Sequence, residues 1–167
     1  LRPDDADWWA KAAEFFDAWI EAGPKRKVVF LPFNHPGLEN QANKRDVDAI
    51  NEVVDLMNNR DKAEIYYDDI ALMARRIAES DFFFGERLHC QTLAAIAGVP
   101  FFPLEYQFQK MADVLSVGFD APAPTAIKDF SIKAALKFYT GAQKNDPSAT
   151  IQKYREIQSD FLKAALS

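Results

Sequence analysis

Cysteine, histidine and glycine are all scarce in this chain of 167 residues, which has one, two and six of them respectively. A single thiol, Cys90, excludes an internal disulfide framework and any multi-cysteine metal centre, and fits a reducing cytosol. His35 and His89 stand far apart without cysteine pairs, so no metal site is expected. The glycines form neither G-x-G-x-x-G nor G-x-x-x-x-G-K-[ST], which removes the usual dinucleotide and P-loop phosphate cradles. No G-x-S-x-G elbow occurs either. No apolar run approaches the ~20 residues of a membrane span, and no secretory leader is visible. Positive charge is also short: 20 Lys and Arg against 25 Asp and Glu leave a net charge of −5. Nucleic acid, which demands a basic surface, is therefore not an expected partner. A soluble cytoplasmic protein is expected.

What is present is apolar bulk: 49% of the residues are hydrophobic and fourteen are Phe, enough for a full core. Residues 5–22 read as an amphipathic helix, with Trp8, Ala12, Phe15, Phe16 and Trp19 at helical spacing, N-cap candidates at Asp4 and Asp5, and a stop at Gly23-Pro24. The triplet Lys25-Arg26-Lys27 reads as solvated surface, and Val28–Leu31 as a buried strand. In the loop Pro32–Asn40, His35 reads first as an exposed turn residue, although a parallel strand order would bring it near the same rim as Arg87. A helix over Asp46–Asn58 follows, then a strand over Ala63–Tyr67. Asp68 is the N-cap candidate of a helix carrying Ile70, Met73, Ala74 and Ile77, with Arg75 and Arg76 near its last turn, where cations complement the dipole.

The stretch Glu79–Lys110 organises the rest. Asp81–Phe84 reads as a buried strand, Gly85-Glu86-Arg87-Leu88-His89 as a polar turn, and His89–Ala97 as a small apolar helix stopped by Gly98. Val99–Leu104 resumes a strand, which completes a βαβ unit. Beyond it come a helix over Gln107–Val117, a proline-rich loop over Asp120–Thr125, and helices over Ile127–Thr140 and Pro147–Leu166. This alternation predicts an α/β fold, a Rossmann-like parallel sheet flanked by helices, as a single domain over 1–167 with a C-terminal helical segment, 126–167, packed on it. The start at Leu1-Arg2-Pro3, without an initiator methionine, points to a piece of a longer chain.

Ligands of such sheets bind where strands end and helices begin, and helix N-termini favour anions. Arg87 and His89 fall there, with Glu86, Glu105, Tyr106 and Lys110 nearby. A guanidinium forks onto a carboxylate or phosphate, and an imidazole moves a proton near neutral pH. Each has a plainer alternative. Arg87 could pair with Glu86 or Glu105, His89 could bond backbone, Tyr106 could pack, and Lys110 could be a solvated helix position.

The segment from Ala78 to Lys110 resembles the signature of the polysaccharide pyruvyl transferase family, matching at Arg87, Leu88, His89, Gly98, Pro100 and Tyr106. Arg2-Pro3 and the Val28–Pro32 strand resemble earlier family features, so the likeness covers residues 1–119; Lys110 lies one position farther from Tyr106 than the pattern expects. The resemblance implies the C-terminal half of a GT-B-like two-domain enzyme. Its reaction would move the pyruvyl group of phosphoenolpyruvate onto sugar hydroxyls of a cell-surface polysaccharide to form a ketal, with no cofactor. It further implies donor binding by Arg87, the Leu88 amide, Arg2, Tyr106 and Lys110, and catalysis by His89. The implied partners are a glycan or lipid-linked sugar and an N-terminal domain, with room for peripheral association at the inner face of the membrane. A nucleotide-sugar-dependent GT-B transferase or epimerase, or a non-catalytic anion-binding module, would use the same fold.

Overall fold

The aromatic stripe of the first helix is core. In α1 (Ala6–Glu21) Trp8, Ala12, Phe15, Phe16 and Trp19 are buried as their spacing predicts, and Ala13, Asp17 and Ile20 join them. A computed structural model describes residues 6–23, 25–32, 41–66, 70–85, 87–105, 125–141, 152 and 156; at 41–45, 70 and 105 the backbone alone is described. The chain divides into two compact units, Leu1–Met73 and Ala74–Ser167.

In the first unit β1 (Val28–Phe30) and β2 (Ala63–Ile65) pair in parallel, Val28 opposite Ala63, across the crossover helix α2 (Gln41–Leu56). Phe16 meets Phe30 edge to face at 5.2 Å, which seats α1 on β1. Two expectations change here. Helix α2 begins at Gln41 rather than Asp46, because the helix formers Gln41, Ala42, Lys44 and Arg45 extend it. Arg26 is not simply solvated: its guanidinium lies 3.7 Å over the Trp19 ring and donates to Trp19 O at 3.2 Å.

Asp17 is the hidden organiser of this unit. It is 6% exposed, and its two carboxylate oxygens accept from the backbone N–H groups of Asn58 (2.8 Å) and Asn59 (2.9 Å) and from both side-chain amides. The carboxylate therefore ends α2 and turns the chain into β2.

Helix α3 (Ile70–Glu79) crosses the division and buries Met73 and Ile77; Arg75 pairs with Glu79 at 2.7 Å on its exposed face. In the second unit β3 (Phe83–Gly85), β4 (Phe101–Glu105) and β5 (Thr125–Ala126) lie side by side in that order, all parallel. Among the described residues the ladders thus form one two-stranded and one three-stranded parallel sheet, and the mixed α/β architecture fits a Rossmann-like fold. Strand β3 is shifted toward Gly85 relative to the expected run. Strand β5 falls at the end of the expected proline-rich loop, where two residues are too few to show a period.

Helix α4 (Leu88–Ile96) joins β3 to β4. It closes with Gly98 at φ 70°, whose N–H reaches Ala95 O at 3.1 Å while Val99 N reaches Ala94 O at 2.9 Å. These are the paired bonds of a Schellman end, and the left-handed residue calls for glycine. The expected helix over Ile127–Thr140 is instead a 3-10 turn, Ile127–Asp129, followed by α5 (Ile132–Gly141). Ser131 caps α5, its Oγ accepting from Ala134 N at 3.3 Å. The expected helix over 107–117 lies outside the described residues, as does all of the last one except Gln152 and Glu156, which are helical.

Tyr139 of α5 fastens β3 to β4. Its hydroxyl donates to Phe83 O at 2.7 Å and accepts from Phe102 N at 2.8 Å, so it bonds both sides of one ladder rung. Rings of Phe82, Phe102 and Phe138 lie against it, Phe82 tilted with its centroid 3.9 Å away, and Phe130 and Phe84 extend the cluster from Phe102. Burial pushes the hydroxyl's pKa far above the tyrosine range, with the Phe102 N–H opposing weakly.

Tyr139→Phe should lower the unfolding free energy by about 1–3 kcal/mol, because it leaves the two backbone groups without this partner. An unfolded tyrosine ionises near pH ~10 and the native one does not. The stabilisation is thus full below pH ~10 and declines as pH rises from there toward the native value, so the variant should show a shallower alkaline limb in urea melts. Asp17→Ala, which removes the acceptor of four part-buried hydrogen bonds, should cost about 1–3 kcal/mol in the same assay.

Candidate functional site

Strand β3 stops at Gly85, where the Phe83 ring lies so close that a Cβ would sit 2.7 Å from its tip. Two residues later Arg87 is the extended N-cap of α4, with φ −77° and ψ 120°, and its carbonyl accepts the N–H groups of Cys90 (3.0 Å) and Gln91 (3.1 Å). The arginine side chain makes no capping bond, as its chemistry dictates, since a guanidinium has no acceptor. Among the described residues no acceptor meets the N–H groups of Leu88 or His89. The first turn of α4 therefore presents donors and the positive end of the helix dipole at a strand's carboxyl end.

Arg87 and His89 are both exposed, and Leu88 is half-buried. The parallel register sets Gly85 opposite Pro103, so Leu104 and Glu105, the end of β4, run alongside this turn. Arg87, Leu88 and His89 thus stand together, a guanidinium and an imidazole at a helix head whose first N–H groups meet no acceptor among the described residues. Such a set can bind a small anion and exchange a proton with it. Arg2, Tyr106, Lys110, His35 and Glu86 lie outside the described residues, and for Glu105 only the strand position is described.

Gln91 was not among the expected site residues, yet it stands directly beneath it. It is fully buried, and its Nε2 donates to Gly85 O at 2.8 Å and to Leu104 O at 3.0 Å, the ends of both strands. Among the described residues its Oε1 is buried with no partner, a situation that costs about 1–3 kcal/mol. The signal was legible: Gln91 shares the buried stripe of Ala94 and Ala95, and an amide in an otherwise apolar stripe calls for partners.

A family model described as Polysaccharide pyruvyl transferase matches residues 2–107, a span that holds β3, α4 and β4. No curated protein and no solved structure matches the chain.

An exposed residue with no core contact has little to lose on truncation. His89→Ala should change the urea-unfolding free energy by less than about 0.5 kcal/mol; a larger loss would give His89 a structural duty.

Proposed function

The chain belongs to the polysaccharide pyruvyl transferase family, and from that premise we propose that it binds phosphoenolpyruvate at the Arg87-Leu88-His89 turn and transfers its pyruvyl group to a sugar. The observation that carries this reading is the family match across an arginine and a histidine that flank an uncapped helix N-terminus. Phosphoenolpyruvate is compact and bears a carboxylate and a phosphate, which suit an arginine fork and backbone N–H donors.

The chemistry balances with two sugar hydroxyls. A proton added to the methylene carbon makes the methyl group and an electron-deficient C2. One hydroxyl oxygen bonds to C2 and releases its proton. The C2–O bond to phosphate then breaks, the second hydroxyl bonds to C2, and its proton leaves with the phosphate. The products are a cyclic ketal and inorganic phosphate. His89 delivers or collects one of these protons, a role worth about 10²–10⁴-fold in rate. Arg87 holds the departing charge.

In this reading the chain is the C-terminal half of a GT-B-like enzyme of the cell envelope, acting in the cytoplasm or against the inner face of the membrane. Its acceptor is a glycan or lipid-linked sugar, and Arg2, Tyr106 and Lys110 complete the donor site. Among the described residues no helix is long and apolar enough to cross a membrane.

Calorimetric titration with phosphoenolpyruvate tests the reading. Arg87→Ala should weaken binding about 10- to 100-fold, the worth of a charge-assisted hydrogen bond of about 1.5–3 kcal/mol. His89→Ala should keep most of the affinity but lose about 10²-fold or more in turnover. Tight binding of a nucleotide-sugar in place of phosphoenolpyruvate would overturn the assignment in favour of a glycosyltransferase.

A further inference from the structure

Gln91 has a place in the architecture that substrate binding leaves unused. The β3–β4 ladder opens with Phe83 N donating to Pro100 O at 2.8 Å, and its register pairs Gly85 with Pro103. Beyond that last pair, Gln91 Nε2 donates to Leu104 O while also holding Gly85 O, so one amide spans the ends of both strands. Two carbonyl acceptors on one side settle which end of the amide faces the strands. Gln91 is also bonded through its own N–H to Arg87 O at 3.1 Å. A single residue thus ties the carboxyl ends of two strands to the residue that caps α4.

We propose that Gln91 is the positioning residue of the donor site, setting the spacing of the β3 and β4 ends so that Arg87 and the first turn of α4 face the bound anion. The inference rests on the donor reading of Arg87 and His89. Gln91 does not touch the donor, since it is fully buried; it acts through Arg87.

The test compares two deletions of side-chain clamps on the same strand pair. Gln91→Met keeps the length and loses the donor at the site end, whereas Tyr139→Phe removes the clamp at the Phe83–Phe102 rung, away from the site. In the whole protein Gln91→Met should raise the KM for phosphoenolpyruvate about 10- to 100-fold, as misplacement of a binding group does. Both variants should lower Tm, but Tyr139→Phe should leave KM within about twofold. An unchanged KM in folded Gln91→Met, or equal KM shifts in both variants, overturns the proposal. Should Gln91→Met fail to fold, Gln91→Asn, a methylene too short to span both carbonyls, is read in the same way. Amide hydrogen exchange decides the matter without substrate. Faster exchange confined to residues 90–91 and 104–105 supports positioning, and faster exchange throughout β3 and β4 overturns it. A wild type that does not turn over phosphoenolpyruvate would refute the donor reading, and the exchange pattern would still judge Gln91.

Discussion

Strand β3 has three residues, and the candidate site begins two residues after it ends. So short a parallel strand offers few ladder bonds, so its placement against β4 depends on groups from elsewhere. Two side chains supply them, the Tyr139 hydroxyl at the Phe83–Phe102 rung and the Gln91 amide at Gly85 and Leu104. Both come from helices that pack on the same strands, α5 and α4. The aromatic cluster around Tyr139 keeps water from one clamp, and full burial keeps it from the other. Each bond is consequently stronger than it would be at a surface.

From that fastening the site follows in steps. The register carries the end of β4 alongside the turn after β3, and the turn releases Arg87 in an extended conformation at the head of α4. An arginine in the capping position cannot satisfy the helix, and among the described residues the N–H groups of Leu88 and His89 meet no acceptor. A local choice that weakens the helix as a structure makes it serviceable as an anion site. The left-handed Gly98 and its paired bonds then turn the chain into β4 within a few residues, which keeps the crossover compact.

Much of this was legible in the sequence because it is written in periodicity. The aromatic stripe of α1, the βαβ unit around α4 and the glycine that stops it are local patterns. So was the clustering of Arg87, Leu88 and His89, since three neighbouring residues at a strand end need no tertiary knowledge to be grouped. Asp17 and Tyr139 escaped because their meaning lies in partners 41 and 56 residues away. Each looked like an ordinary member of a helix, and only the buried carbonyls and N–H groups opposite them show their use. Strand β5 escaped for a different reason, being two residues defined wholly by its pairing with β4. The start of α5 was misplaced because Ile127 continues the apolar pattern, whereas Ser131 holds the cap.

The proposed transfer of a pyruvyl group at the Arg87-Leu88-His89 turn is read out by incubating the protein with phosphoenolpyruvate and candidate sugar acceptors and following inorganic phosphate together with the acceptor's proton spectrum. Phosphate release should be matched by a new ketal methyl signal on the acceptor, with both slowed at least about tenfold in Arg87→Ala. Phosphate release without the ketal, or a ketal formed at the wild-type rate by Arg87→Ala, would contradict the proposed transfer.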